Sequence, residues 1–167
     1  MRLGGFAMSI KNYEFYHGAV LTRILRKDIK TSLKLVETNK DSSSTYIIND
    51  EIALYITYRS PQRTDKHLRW SFSFNKNQMA EINKCNIYDL ICASVCINHK
   101  YKGFKSEICL LYEDEIKQLV DINSVTEQRI NVYLEKGKSF RVDGSISKFY
   151  QHLTISKNRI DSFEIPK

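Results

Sequence analysis

The stretch TYIINDEIALYITYRSPQRTDKHLRWSFSF, residues 45–74, contains three runs in which apolar and polar side chains alternate. In the second run Ile52, Leu54, Ile56 and Tyr58 fall on one side, and Ala53, Tyr55 and Thr57 on the other. A period of two sorts side chains in this way only in an extended strand. Asn49 and Asp50 tolerate tight-turn geometry, so residues 46–48 are expected to fold back on residues 52–58 as a hairpin. Residues 69–74 alternate again, with Trp70, Phe72 and Phe74 on one face. The expectation is a three-stranded antiparallel meander whose aromatic face supplies a core.

On the N-terminal side, Tyr13, Tyr16, Val20 and Ile24 recur every three to four residues, with Leu21 and Leu25 beside them. This spacing predicts a helix over residues 13–26, capped by Ser9 or Asn12, with Glu14 in a first turn where the dipole favours a carboxylate. Residues 32–37 alternate as a short strand and lead into a polar loop ending at Ser44. On the C-terminal side, residues 75–84 read as a short helix with Met79 and Ile82 inward. Residues 89–98 form a nearly continuous apolar run, the pattern of a strand buried on both faces. A basic turn over 99–106 leads to a core strand at 107–112. A helix over 114–120 follows, and its positive end accounts for Glu113, Asp114 and Glu115. Residues 129–134 and 139–143 make a second hairpin, and residues 152–155 alternate weakly. The implied fold class is α/β (α+β). One domain spans residues 1–167, with a mixed, mainly antiparallel central sheet flanked by helices. Within it, residues 1–11 are a loose lead, 12–98 a core, and 99–167 C-terminal strands and a helix.

Lys and Arg number 26 against 19 Asp and Glu, giving a net charge of +7 and a pI near 9.2. That balance favours an anionic partner, nucleic acid before a membrane surface. No run approaches about 18 apolar residues, and the N-terminus has no apolar leader segment, so no membrane association and a cytoplasmic location are expected. Cys85, Cys92, Cys96 and Cys109 lie in or beside apolar runs without a C-x2-C pair, which reads as buried, reduced thiols. No metal or other cofactor is expected.

The segment RSPQRTDKHLR concentrates Arg59, Arg63, Lys66, His67 and Arg69 around one acid, Asp65, between Tyr58 and Trp70. Cations backed by aromatics suit a loop that contacts phosphates. A second set, Glu14, His17, Arg23, His67 and Arg69, has the residue types for acid–base cleavage of RNA. In that chemistry one group takes the 2′-hydroxyl proton and another protonates the leaving oxygen. Tyr13, Tyr16, Tyr46, Tyr55 and Tyr58 read as half-buried strand and helix aromatics; exposed members would instead favour a protein partner.

The succession helix, hairpin, third strand, helix, buried strand resembles the restriction-endonuclease-like (PD-(D/E)XK) core over residues 12–98. The resemblance implies an acid in the first helix, an acid opening the hairpin and an E-x-K on the next strand, gathered at one sheet edge to hold Mg²⁺. Glu14 and His17 lie on the helix, and Asp50 or Glu51 stands at the hairpin position. The E-x-K position, however, reads Tyr55-Ile56-Thr57, which supplies neither a metal-binding acid nor a lysine. NYEFYHGAVLTRIL and RWSFSF also resemble a group of short bacterial proteins. Together these imply a non-catalytic nucleic-acid-binding or nuclease-like accessory protein, of the kind found among phage and bacterial-immunity genes. The alternative is a protein-binding module on the same platform.

Overall fold

The computed structural model describes residues 9–39, 43–148 and 151–165. The lead at 1–8 and the polar loop at 40–42 lie outside them. In chain order the elements are α1 (Asn12–Leu25), β1 (Leu33–Asn39), β2 (Ser43–Ile48), β3 (Ile52–Arg59), β4 (Gln62–Arg63), β5 (His67–Phe74), α2 (Lys76–Lys84) and β6 (Asp89–Cys96). They continue with β7 (Glu107–Tyr112), α3 (Glu113–Leu119), β8 (Gln128–Glu135), β9 (Phe140–Gly144), β10 (Leu153–Ile155) and α4 (Arg159–Ser162).

The described residues form a mixed α+β fold with two five-stranded sheets. The first has the order β1-β2-β3-β6-β7 and the second β10-β9-β8-β5-β4. Pairing is antiparallel throughout except between β3 and β6. The β2–β3 hairpin forms as expected. Asn49 (φ 50°) and Asp50 (φ 56°) both occupy the left-handed region, as a two-residue hairpin turn requires, and the Glu51 amide closes the turn on the Ile48 carbonyl at 3.0 Å.

The expectation of a single central sheet is corrected, and so is the composition of its meander. The meander is β1-β2-β3, and residues 69–74 do not continue it: after Arg59 the chain leaves the first sheet, and β5 pairs with β8 and β4 in the second. The physical reason lies in the strand faces. The free edge of β3 is taken by β6, whose residues from Leu90 to Cys96 are buried on both faces, as a strand between two layers must be. β5 instead alternates strictly: Leu68, Trp70, Phe72 and Phe74 are buried, while His67, Arg69, Ser71 and Ser73 stay partly in solvent. Placing β5 beside β3 would bury that polar face without partners.

The inner faces of the two sheets share one core. Tyr55, Cys92 and Leu111 come from the first sheet, Trp70, Phe72, Val132 and Phe140 from the second, and Met79, Ile82, Ile116 and Leu119 from α2 and α3. A second cluster packs Val20 and Ile24 of α1 and Ile160 of α4 on the opposite face of the first sheet, over Leu54, Ile56 and Ile91. The Trp70 indole donates to the Ile97 carbonyl at 2.8 Å, joining β5 to the end of β6 inside the core. Gly144 lies so close to α3 that a Cβ there would come within 2.1 Å of the Leu119 carbonyl oxygen, so only glycine fits. No helix among the described residues is long and apolar enough to cross a membrane.

Trp70 is fully buried and bonded across the sandwich. Trp70→Ala is therefore expected to cost about 3–5 kcal/mol of stability, read from urea unfolding, and a loss under about 1 kcal/mol would contradict this packing.

Candidate nucleic-acid interface

The acids at the positions implied for a metal site are held apart. Glu14 is exposed, and its carboxylate accepts the Lys11 amide at 2.6 Å, a helix-capping contact. Tyr16 stacks on Tyr58 with ring centres 4.9 Å apart, so the first turns of α1 lie over the C-terminal end of β3. Asp50 and Glu51 occupy the turn before β3 begins. Eight residues of strand separate the two ends, on the order of 25 Å. His17 is buried under α1, with its ring 5.9 Å from Tyr58 and 5.6 Å from Tyr13. Arg23 is ion-paired with Asp161 at 2.9 Å.

At the E-x-K position, Tyr55 and Thr57 face the core between the sheets, while Leu54 and Ile56 face α1. Neither face of β3 presents a carboxylate or an ammonium there. Burial pushes the Tyr55 phenol far above its usual range, so it stays protonated. A buried acid reaches this region from α2 instead: Glu81 accepts a hydrogen bond from Thr45 Oγ1 at 2.8 Å. Among the described residues no group of three His, Cys, Asp or Glu side chains is placed to hold a metal ion. Glu115, from the acidic run at 113–115, accepts the Tyr112 amide at 2.9 Å and pairs with Arg159.

The basic segment 59–69 is divided by the step between sheets. Arg59 stays at the end of β3, where it donates to the neighbouring Tyr58 carbonyl at 2.8 Å. Arg63, on β4, lies 5.5 Å from the centre of the Tyr101 ring. Lys66 is exposed in the β4–β5 turn, which the Thr64 amide closes on the His67 carbonyl at 3.0 Å. His67 and Arg69 stand on the outer face of β5.

That outer face brings together groups distant in sequence. Register places Arg69 across from Tyr133 and Tyr133 across from Arg141; one row away, Ser71 is across from Asn131 and Asn131 from Asp143. The hydrogen bonds follow the second row: Ser71 Oγ donates to Asn131 Oδ1 at 2.8 Å, and Asn131 Nδ2 donates to Asp143 Oδ1 at 2.9 Å. The His67 ring meets Tyr133 edge-on at 5.5 Å. His67, Tyr133, Arg141, Asp143 and His152 line a shallow cavity of about 180 Å³. Burial, with the Asp143 carboxylate adding to it, raises the Tyr133 pKa, so this phenol is an O–H donor at neutral pH. Glu135, across from His67 in the register, is held below the usual carboxylate range chiefly by the hydrogen bond from Lys138, at 2.7 Å.

Of the residues expected to form a site, His67 and Arg69 therefore share a surface. Glu14, His17 and Arg23 lie on α1, beyond the first sheet. Tyr133, Arg141, Asp143 and His152 were not singled out by sequence. The available signal was parity: each sits at the polar position of an alternating strand or its extension. The comparisons with known proteins returned no match: no family model, no curated protein and no solved structure.

All four cysteines are buried and free. Burial pushes the Cys92 thiol up to about 11, and Cys96 and Cys109 upward as well, so none of these three is an activated nucleophile. Folded thiols that keep their protons above the ordinary value of 9.0 make the native state bind more protons than the unfolded chain in that range. Their contribution to stability is fully present below that value and falls as pH rises toward the folded pKa. The urea midpoint is accordingly expected to be lower at about pH 10 than at about pH 8; an equal or higher midpoint would contradict the buried, reduced assignment.

Proposed function

We propose that this protein binds nucleic acid through the outer face of its second sheet, using the first sheet as a restriction-endonuclease-like scaffold without the groups for metal-dependent cleavage. The observation that carries the reading is the convergence of His67, Arg69, Tyr133 and Arg141 on one solvent-facing surface. Guanidinium groups pair with phosphates, and partly exposed Tyr and His rings offer faces on which unpaired bases stack. An open antiparallel face with aromatics at its centre suits a single strand better than a duplex. The net charge of +7 supplies attraction at longer range.

The scaffold part of the reading is supported by element order. A first helix leads into the β1-β2-β3 meander, and α2 precedes β6, which lies parallel beside β3. The departure is the insertion of β4 and β5, which found the second sheet before α2. Buried, reduced cysteines suit a cytoplasmic protein. An accessory role among phage or bacterial-immunity genes follows from the resemblance. A protein-binding role is the second reading, favoured by the exposed Leu35 and Val36 on edge strand β1.

Binding of a short single strand, measured across salt, tests the proposal. Arg69→Ala and Arg141→Ala should each flatten the log–log salt dependence by about 0.7, the share of one phosphate contact on a single strand. Arg23→Ala, on α1 and already paired with Asp161, should leave it unchanged. Equal slopes for the wild type and the Arg69/Arg141 double variant would overturn the assignment and favour the protein-binding reading.

A further inference from the structure

We propose that the cavity on the outer face of the second sheet is a metal-independent site for RNA cleavage, with His67 and His152 as its acid–base pair. The inference rests on the nucleic-acid reading above and adds a substrate class and a reaction to it. Two imidazoles come to one cavity from strands that are not neighbours. β8 and β9 lie between β5 and β10, and His67 stands four residues along the sheet from the row of Asp143 and His152. The two backbones are therefore about 20 Å apart, and the rings meet only at the cavity that both line. His152 immediately precedes Leu153, which pairs with Val142, so alternation sets it across from Asp143 on the outer face. The two rings therefore flank a gap floored by Tyr133 and Arg141. Its volume of about 180 Å³ equals the liquid share of about six waters, room for a phosphodiester while the rest of the strand lies on the open sheet.

This arrangement can do balanced chemistry. One imidazole, neutral, takes the proton of a ribose 2′-hydroxyl as that oxygen bonds to phosphorus. The other, as imidazolium, gives a proton to the 5′-oxygen as the P–O5′ bond breaks. The products are a 2′,3′-cyclic phosphate and a 5′-hydroxyl; one proton is taken up and one released, and no metal, water or redox partner is consumed. Arg141 donates to the phosphoryl oxygens as charge grows on them, while the Tyr133 phenol, kept protonated by burial and by its hydrogen bond to Asp143, helps hold that carboxylate in place. Ser71 and Asn131 orient Asp143 and act as positioning residues. The charged groups facing His67 are Arg69 and Glu135, the last held by Lys138 and within the field of the exposed Lys66; those facing His152 are Asp143 and Arg141. Cations outnumber acids around the pair, which favours a bound phosphodiester. Because the nucleophile is the 2′-hydroxyl, the substrate is RNA and not DNA.

The test uses the full chain, a chelator, a single-stranded RNA oligonucleotide and its 2′-deoxy counterpart. Cleavage of the RNA should persist in chelator, leave cyclic phosphate and 5′-hydroxyl ends, and show a bell-shaped pH dependence; the deoxy strand should bind and stay intact. His67→Gln and His152→Gln, each with an unchanged urea midpoint, should lower the rate by about 100-fold or more, and each should flatten one limb of the pH profile. Equal cleavage by wild type and a double His67/His152 variant purified in the same way would assign the activity to a contaminant and overturn the proposal. RNA left intact while the deoxy strand binds would also overturn it and leave the binding function standing. Failure to bind either strand would remove both.

Discussion

The bond from the Trp70 indole to the Ile97 carbonyl sits where the two sheets meet, and the architecture depends on the strand that carries it. β5 has one face of Leu68, Trp70, Phe72 and Phe74 and one of His67, Arg69, Ser71 and Ser73. The first face must be buried and the second must not. A position in the first sheet, covered by α1 and α4 on one side and by the shared core on the other, meets only half of that demand. Starting a second sheet meets all of it. Pairing with β8 then matches polar to polar and apolar to apolar along the register, with Trp70 across from Val132 and Arg69 across from Tyr133. The buried face and the candidate site are consequences of the same alternation.

Elements were legible in the sequence more fully than their partners. The helix at α1, the Asn49-Asp50 turn, the doubly buried strand β6 and the hairpin of β8 and β9 all follow from local period and turn chemistry. Which strand lies beside which is a non-local matter, and proximity along the chain misled there by placing residues 69–74 beside residues 52–58. The contrast between a continuous apolar run at 89–98 and a strict alternation at 67–74 did carry the information. The former suits a strand with a layer on each side, the latter a strand with water on one side.

For the site, composition pointed to a basic segment and residue types to acid–base chemistry, but neither fixes which side chains share a face. Arg59, Arg63 and Lys66 are near His67 in sequence yet turn to the Tyr58 carbonyl, the Tyr101 ring and solvent. Glu14 and His17 serve α1, as a helix cap and as part of its buried seam against Tyr58. Tyr133, Arg141, Asp143 and His152 are 64 residues or more beyond Arg69, and only the register of the second sheet brings them to His67. The absence of an acid and a lysine from the E-x-K position was legible directly, since it depends on residue identity alone.

The surface proposed to meet nucleic acid is the polar face of the second sheet, not the surface of α1 or the edge at β1. A titration of the labelled protein with a 2′-deoxy single strand, followed by backbone and imidazole NMR shifts, tests it most directly. Shifts are expected to concentrate at His67, Arg69, Tyr133, Arg141 and His152, with α1 and β1 unmoved. Shifts concentrated on α1, or along Leu35 and Val36, would contradict it.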